Sequence, residues 1–560
     1  MPPSDFEIEC LDCGTRFTGS ALAAECPACG GEWLHIRYDL ASVGPLIRRA
    51  AVQRPFDLWR YREVLPIGDF NPDLAMGEGG TPLIPATNLG MMLGLNHLYI
   101  KDERQGPTAS FKDRQAAVTM AVLKEAGVTE VVVASTGNVA IAYSAYGARS
   151  GIKVWAFLTS LVPAAKMHEV ALYGTQVVKV TSTYDQAKVL AAEFARRRSL
   201  YLDRGARSIL NVEAMKTMAY EVSEQLGDLS AEGAADGTPA PWRAPHWYLQ
   251  AVSGGIGPIG VSKGFLELVE MGLTDRVPWM GLIQTSGCDP MAAAWKAGAE
   301  SVTPVDTPTT HISTLSTGNP GHAYALLRQH MQESGGGTME SVTDEEAFRA
   351  MHLVAKMEGL SVEPAAGVAF AGLIKLAQQG LIQQDHVVVV NCSGHTLPIE
   401  EELLEEGWAE AITMPDGALP ASPQEGLLAA LARLDQRRTR RVLVVDDHAD
   451  ARRLIRRILQ AHGNYEVQEV GSGPEALAQA AAQPPDLVIL DLMMPEMDGF
   501  EVLDRLESVV DPRDVPVIVV TAKALTAAEK KRLEGRISRL MLKGDFLTED
   551  LLEEIGKALK

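Results

Sequence analysis

The 560-residue chain carries 51 basic and 72 acidic residues, a net charge of −21, and is 46% hydrophobic and 22% charged. That length exceeds one core and predicts roughly three to four units, while the balanced composition excludes wholesale disorder. The excess of carboxylates repels phosphate backbones and anionic bilayers, so neither nucleic acid nor membrane is an expected partner.

No apolar run reaches the ~20 residues that span a bilayer, and MPPSDFEIEC has no signal-peptide pattern. A reducing cytoplasm is the expected compartment. Residues 1–36 hold four of the six cysteines, as Cys10–Leu–Asp–Cys13 and Cys26–Pro–Ala–Cys29. Two C-x-x-C turns can surround one zinc ion with four thiolates, and four protein ligands leave no open position. A small N-terminal zinc ribbon is expected, with Cys10, Cys13, Cys26 and Cys29 as ligands in a structural role. Two disulfides or a redox pair compete, but a doubled motif in a reducing compartment favours metal.

Residues 37–410 alternate β-rich runs with helical stretches, such as VVVAS before VAIAYSAYGARSG. This pattern predicts α/β architecture with mainly parallel strands. The region contains SFKDR with Lys112, STGN at 135–138, SGGIG at 253–257 and NCSGHTLP at 391–398. LWRYREVLP, GEGGTPL, LSTGNPG and SVEPAAG accompany them. As a set they resemble threonine synthases, pyridoxal-phosphate enzymes of the tryptophan synthase β-like family with a two-domain type II fold.

The resemblance implies that Lys112 binds the aldehyde of pyridoxal 5'-phosphate and serves as the catalytic base. Burial there would disfavour its ammonium form. Gly254, Gly255, Ile256 and Gly257 would close on the cofactor phosphate through backbone N–H groups at a helix N-terminus. Asn138 would bond the ring's phenolic oxygen, and Ser393 would meet the pyridine nitrogen. A hydroxyl in that place suits elimination and replacement chemistry. Gly255–Ile–Gly257–Pro–Ile–Gly260 also satisfies a dinucleotide fingerprint, a competing reading that would leave the other motifs to coincidence.

The expected activity is conversion of O-phosphohomoserine and water to threonine and phosphate. Val139 and Ala140 follow Asn138 where hydroxyl residues are usual in the family, and Asn211 replaces an expected arginine. Both changes remove donors for a substrate phosphate. Arg207 or Lys216 is expected to compensate; otherwise the chain is a cysteate synthase-like enzyme or a serine/threonine dehydratase. Family members are commonly homodimers.

Residues 411–438, rich in Pro, Gly and Ser at their start, read as a linker. Residues 439–560 then predict five strands and five helices in a doubly wound sheet. Asp446 and Asp447 end its first strand, Asp491 its third, Thr521 its fourth and Lys543 its fifth. Carboxylates gathered at one sheet edge require a hard cation such as magnesium. This segment resembles response-regulator receivers, with a flavodoxin-like (βα)5 fold. The resemblance implies that Asp447, Asp491 and the Met493 carbonyl hold magnesium, with Asp446 acting through water. Asp491 would accept a phosphoryl group from a sensor histidine kinase or phosphotransfer protein. Thr521 would bond that group and Lys543 would pair with it. Gly544 and Leu540 depart from the usual pattern, which bears on output rather than phosphorylation. Regulation of the enzyme by the receiver is expected; a signalling protein using the enzyme-like part as a ligand sensor is the other reading.

Overall fold

The computed structural model describes residues 6–160, 162–231, 241–395, 409–412, 440–462, 465–510, 515–521, 525–542 and 548–559. Lys543, Gly544 and most of the expected linker lie outside the described residues. The chain divides into two compact units, Met1–Leu419 and Pro420–Lys560.

The first unit opens with an antiparallel sheet of β1 (Phe6–Cys10), β2 (Arg16–Phe17) and β3 (Leu34–Tyr38), ordered β2-β1-β3. Ile8, Leu34 and Ile36 are buried in the main core, which ties this small sheet to the rest. The chain then forms an edge pair, β4 (Leu83–Pro85) and β5 (His97–Asp102). It crosses to a second sheet through β6 (Glu130–Ser135), β7 (Lys153–Thr159), β8 (Gln176–Val180) and β9 (Tyr201–Leu202). It returns for β10 (Trp247–Ala251), β11 (Trp279–Thr285), β12 (Gly337–Val342) and β13 (Val387–Cys392). Finally β14 (Ala409–Ile412) pairs with β8, so Ala411 and Ile412 are strand residues rather than linker.

The two large sheets run β12-β11-β10-β13-β5-β4 and β14-β8-β7-β6-β9. Among the described residues, β4–β5 is the only antiparallel pairing within them. β13 reads VVVVNC and is buried throughout. A β-branched run without alternation is what a parallel strand covered on both faces requires. Helices Ile256–Glu270 and Pro364–Gln378 pack on the first of these sheets, and helices Lys112–Glu125 and Ile209–Ala231 pack on each other. Glycines set one close approach. A Cβ at Gly260 would run into Met215, and one at Gly264 into Ala219, so helix Ile256–Glu270 meets helix Ile209–Ala231 nearly backbone to backbone.

The second unit is a parallel sheet of β15 (Arg440–Val445), β16 (Tyr465–Val470), β17 (Leu487–Leu490), β18 (Val517–Thr521) and β19 (Arg539–Leu542). Its order is β16-β15-β17-β18-β19, with five helices between and after the strands among the described residues. The order reverses at β15, so the ligand crevice of such a sheet falls at the C-terminal ends of β15 and β17. No helix among the described residues is long and apolar enough to cross a membrane.

Candidate functional site

Lys112 begins the helix Lys112–Glu125, and the loop before it is stitched to a segment far along the chain. Phe111 N–H donates to the Ser393 carbonyl (3.0 Å), His395 N–H donates to the Ala109 carbonyl (3.0 Å), and Ser110 bridges to Gly394. Asp113 secures the same loop from inside by accepting from Thr108 N–H (2.9 Å) and the Thr108 hydroxyl (2.6 Å). These bonds bring the SFK and SGH turns into one wall.

The opposite wall starts where β10 ends. Gly255, at φ +92, turns the chain into helix Ile256–Glu270, whose N-terminus has no side-chain cap. That left-handed turn is open to glycine at little cost. Its unpaired N–H groups and the helix dipole make an anion site. Gly257 has a different reason: a Cβ there would run into the Gln250 amide and crowd Phe111. Gln250 is buried, and neither atom of its side-chain amide has a partner.

Lys112, Asn138, Gly254, Gly255, Ile256, Gly257 and Ser393 all line this one cleft. The Lys112 ammonium lies over the Phe111 ring, 4.1 Å from its centroid. Burial pushes its pKa down to about 8, against the pull of Asp203 and Glu363. Asn138 opens helix Asn138–Ser150 behind Gly137, at φ +138.

Glu363 is a residue that sequence reading missed. It precedes Pro364 at a helix start, yet its side chain does not cap that helix. Instead its buried carboxylate accepts from Asn138 Nδ2 (3.0 and 2.9 Å), Lys166 Nζ (3.1 Å) and Ser393 Oγ (3.3 Å). Lys166 also donates to Asn138 Oδ1 (2.6 Å). The hydroxyl of Ser393 is therefore backed by a carboxylate. The SVEPAAG string carried the available signal: proline at the first helical turn places the preceding glutamate at a helix entrance.

In the second unit, the register aligns Val445 with Leu490 and Thr521 with Leu542. Asp446, Asp491 and Thr521 thus stand at strand C-termini, all buried. Met493 N–H donates to Asp491 Oδ1 (3.1 Å). Asp446, Asp447 and His448 each place one ligand atom within 4.8 Å of the others. His448 was not foreseen; its Nδ1 lies 2.7 Å from Asp447 Oδ1.

Residues 74–394 match the family described as pyridoxal-phosphate dependent enzyme, and residues 442–555 match the response regulator receiver domain. The chain is a pyridoxal-phosphate-dependent enzyme fused to a receiver domain. It is 32% identical over 401 residues to the threonine synthase of Methanosarcina acetivorans, spanning 71% of this chain and 94% of that one. Against the threonine synthase of Methanocaldococcus jannaschii it is 34% identical over 390 residues, covering 69% and 92%. The solved threonine deaminase isoform 2 of Solanum lycopersicum aligns with 57% of this chain and 80% of its own at TM-score 0.47 and 22% identity. The catalytic unit is that of a lyase similar to threonine synthase.

The enzyme's cleft fits the cofactor that its family binds. An uncapped helix N-terminus suits a phosphate, a desolvated amine suits an aldehyde, and a buried amide lacks a partner. Two expectations fail. Arg207 forms an ion pair with Glu32 near the cysteine turns, and Lys216 is fully buried between Glu213 (2.6 Å) and Glu267 (2.9 Å). Neither lines the Lys112 cleft, and their carboxylate partners do not line it either. Asn211 is likewise engaged, donating to Asp203 Oδ2 (2.9 Å) and accepting from the Tyr143 hydroxyl (3.0 Å).

In the cysteine turns of the enzyme, Cys10 Sγ lies 3.6 Å from Cys29 Sγ and Cys13 Sγ 3.8 Å from Cys26 Sγ. All four sulfurs lie within 4.8 Å of one another. Tetrahedral Zn–S bonds of about 2.3 Å give S···S edges of about 3.8 Å. Gly31 N–H donates to Cys29 Sγ (3.3 Å), the backbone approach that small residues after the cysteines permit.

Proposed function

We propose that the chain is a threonine synthase acting on O-phosphohomoserine, with a receiver that takes phosphate at Asp491. The carrying observation is the joining of the Lys112 loop to the Ser393 turn, facing the uncapped helix at Gly255. When bound, the cofactor supplies an electron sink that stabilises negative charge on substrate carbon. Lys112 would hold the cofactor aldehyde, and its amine would move protons at the substrate carbons. Gly254, Gly255, Ile256 and Gly257 would hold the cofactor phosphate by backbone N–H donation. Asn138 would orient the ring from its phenolic side; in the structure its Nδ2 donates to Glu363 and its Oδ1 accepts from Lys166, so the amide would turn from Glu363 to donate to the ring. Ser393 would meet the ring nitrogen; its hydroxyl proton is directed at Glu363 in the structure and would turn from that carboxylate to donate to the ring.

Lys166 is the residue we assign to the substrate phosphate, in place of Arg207 and Lys216. It is half-buried and bonds Asn138 and Glu363, which both line the cleft, and its long stem lets it leave Glu363 for a phosphate. Lys166→Ala is expected to raise KM for O-phosphohomoserine at least tenfold, in line with the ~1.5–3 kcal/mol of a charged hydrogen bond. Assays of phosphate release from O-phosphohomoserine, run beside ammonia release from serine and threonine, test the reading. Ammonia release without phosphate release identifies a dehydratase instead.

Cys10, Cys13, Cys26 and Cys29 would hold zinc in a closed site that braces β1 and β3. In the receiver, Asp447, Asp491 and the Met493 carbonyl would hold magnesium, with Asp446 contributing through water. Thr521 would bond the phosphoryl group; Lys543 would pair with it. A histidine kinase or phosphotransfer protein would supply the phosphate. Beryllofluoride, a phosphoryl mimic, is expected to change KM or sedimentation of the wild type and to leave Asp491→Asn unaffected. Wild-type kinetics and sedimentation that ignore it would reduce the fusion to tethering.

A further inference from the structure

Asp203 stands where several elements of the enzyme meet. Its backbone N–H donates to the Val132 carbonyl of β6 (2.9 Å), and its Oδ1 accepts from Gly205 N–H (2.7 Å). Its Oδ2 accepts from Asn211 Nδ2 (2.9 Å) and from the Tyr143 hydroxyl, whose proton Asn211 Oδ1 shares. Thr119 closes the knot: its hydroxyl donates to Asn211 Oδ1 (3.2 Å) and stands 3.2 Å from the Tyr143 oxygen. Thr119, Tyr143 and Asn211 are fully buried. Two of them belong to the helices that open at the cleft. Thr119 lies about two turns along helix Lys112–Glu125, and Tyr143 in the second turn of helix Asn138–Ser150. A helix moves as a unit, so a knot at Thr119 and Tyr143 fixes the ends where Lys112 and Asn138 stand. The charge acts as well: of the carboxylates that pull Lys112 towards its ammonium form, Asp203 has the larger effect and Glu363 the smaller.

The next residue faces the other way. Arg204 donates from Nη1 to the Ala24 carbonyl (2.5 Å) and from Nη2 to the Ala23 carbonyl (3.2 Å), in the stretch between the two cysteine turns. Arg207 pairs with Glu32, just past Cys29, and Arg204 approaches the same carboxylate (3.6 Å). A guanidinium fork on two successive carbonyls follows any shift of that stretch, which a point charge would not. The ribbon also borders the Lys112 helix directly. Phe6 and Leu22 share a cavity of about 220 Å³ with Val122 and Ala126 at the far end of that helix.

We infer that Asp203 is a positioning residue for the Lys112–Asn138 end of the cleft, and that the cysteine ribbon seats it through Arg204 and Arg207. Zinc at the cysteines and cofactor at Lys112 are the readings on which this rests. Metal in the ribbon fixes the Ala23–Ala24 stretch, that stretch holds the Asp203–Arg207 loop, and the loop holds the two helix ends. Ribbon and cleft are then coupled sites, each sensitive to the other's occupancy.

Stopped-flow absorbance of cofactor capture by cofactor-free, full-length protein tests this through two readouts, the pH midpoint and the plateau rate above it. Asp203→Asn is expected to move the midpoint down from about 8, since the pull towards the ammonium form is gone. The expected movement is ~0.5 pH unit or more, and Asp203→Glu, which keeps the charge, should reverse it. Removing zinc from the wild type with a chelator is expected to lower the plateau ~5-fold or more. Arg204→Ala combined with Arg207→Ala should lower it similarly with zinc still bound, and chelation should then add little. An unmoved midpoint in Asp203→Asn, a plateau indifferent to zinc, or a full chelator effect in the double variant would each overturn the inference. Failure of the underlying readings shows separately, as a wild type without bound zinc or without cofactor absorbance, and would overturn it with them.

Discussion

Lys112→Ala is expected to lower turnover of any amino-acid substrate by ~10³-fold or more, because one side chain both holds the cofactor and moves the proton. The fold should survive the change, since the Lys112 ammonium makes a ring contact rather than an ion pair. Matching thermal unfolding curves would check that. The same amine dictates a pH dependence. Only its neutral form attacks an aldehyde, and burial has brought its pKa down to about 8. Capture of added cofactor by cofactor-free protein should therefore accelerate about tenfold per pH unit below 8 and level off above it. Stopped-flow absorbance reads this directly; a rate still climbing tenfold per unit at pH 10 would mean an amine in bulk water.

Glu221→Ala is expected to cost about 3–5 kcal/mol of stability, the range for breaking a buried ion pair. Glu221 is fully buried between Lys101 (2.7 Å) and Arg114 (2.6 Å), and Arg114 also pairs with Glu103 (2.7 Å). Removing one carboxylate strands Lys101 and leaves Arg114 half-compensated in the core. Arg114 stands one residue beyond Asp113, so the turn that aims Lys112 should loosen as well. Burial alone pushes the Glu221 carboxyl up, but Arg114 and Lys101 outweigh it and hold it well below the usual carboxylate range. Its folded pKa is depressed, so this stabilisation is complete above the ordinary glutamate value of about 4.3 and falls away as pH drops below it. Denaturant unfolding at pH 7 and pH 3 should show the variant's deficit shrinking at the lower pH. A deficit under 1 kcal/mol at pH 7 would mean that the cluster stabilises little.

Much of this arrangement was legible in the chain. Lys112, Asn138, Ser393 and the Gly255 turn stand in separate motifs, and each motif matches a strand end or helix start. Runs such as VVVVNC announce buried parallel strands because no polar residue interrupts them. What escaped the reading was pairing at a distance. Glu363 has no periodic partner; its importance arises only when two sheets bring Asn138, Lys166 and Ser393 around it. Lys216 looked available because its charge suited a phosphate. The spacings Glu213 to Lys216 and Lys263 to Glu267 did hint at helix-face pairs, and the packed helices merge the two into one closed network. The C-terminal strand at Ala409–Ile412 was hidden for another reason: four residues are too few for alternation to show.

The account turns on which lysine holds pyridoxal 5'-phosphate. Borohydride reduction of the cofactor-loaded full-length protein, followed by peptide mass mapping, fixes the bond where it formed. The account predicts one modified residue, Lys112, in the peptide that contains SFKDR. Modification centred on another lysine, or none above the level of the Lys112→Ala protein, would contradict it.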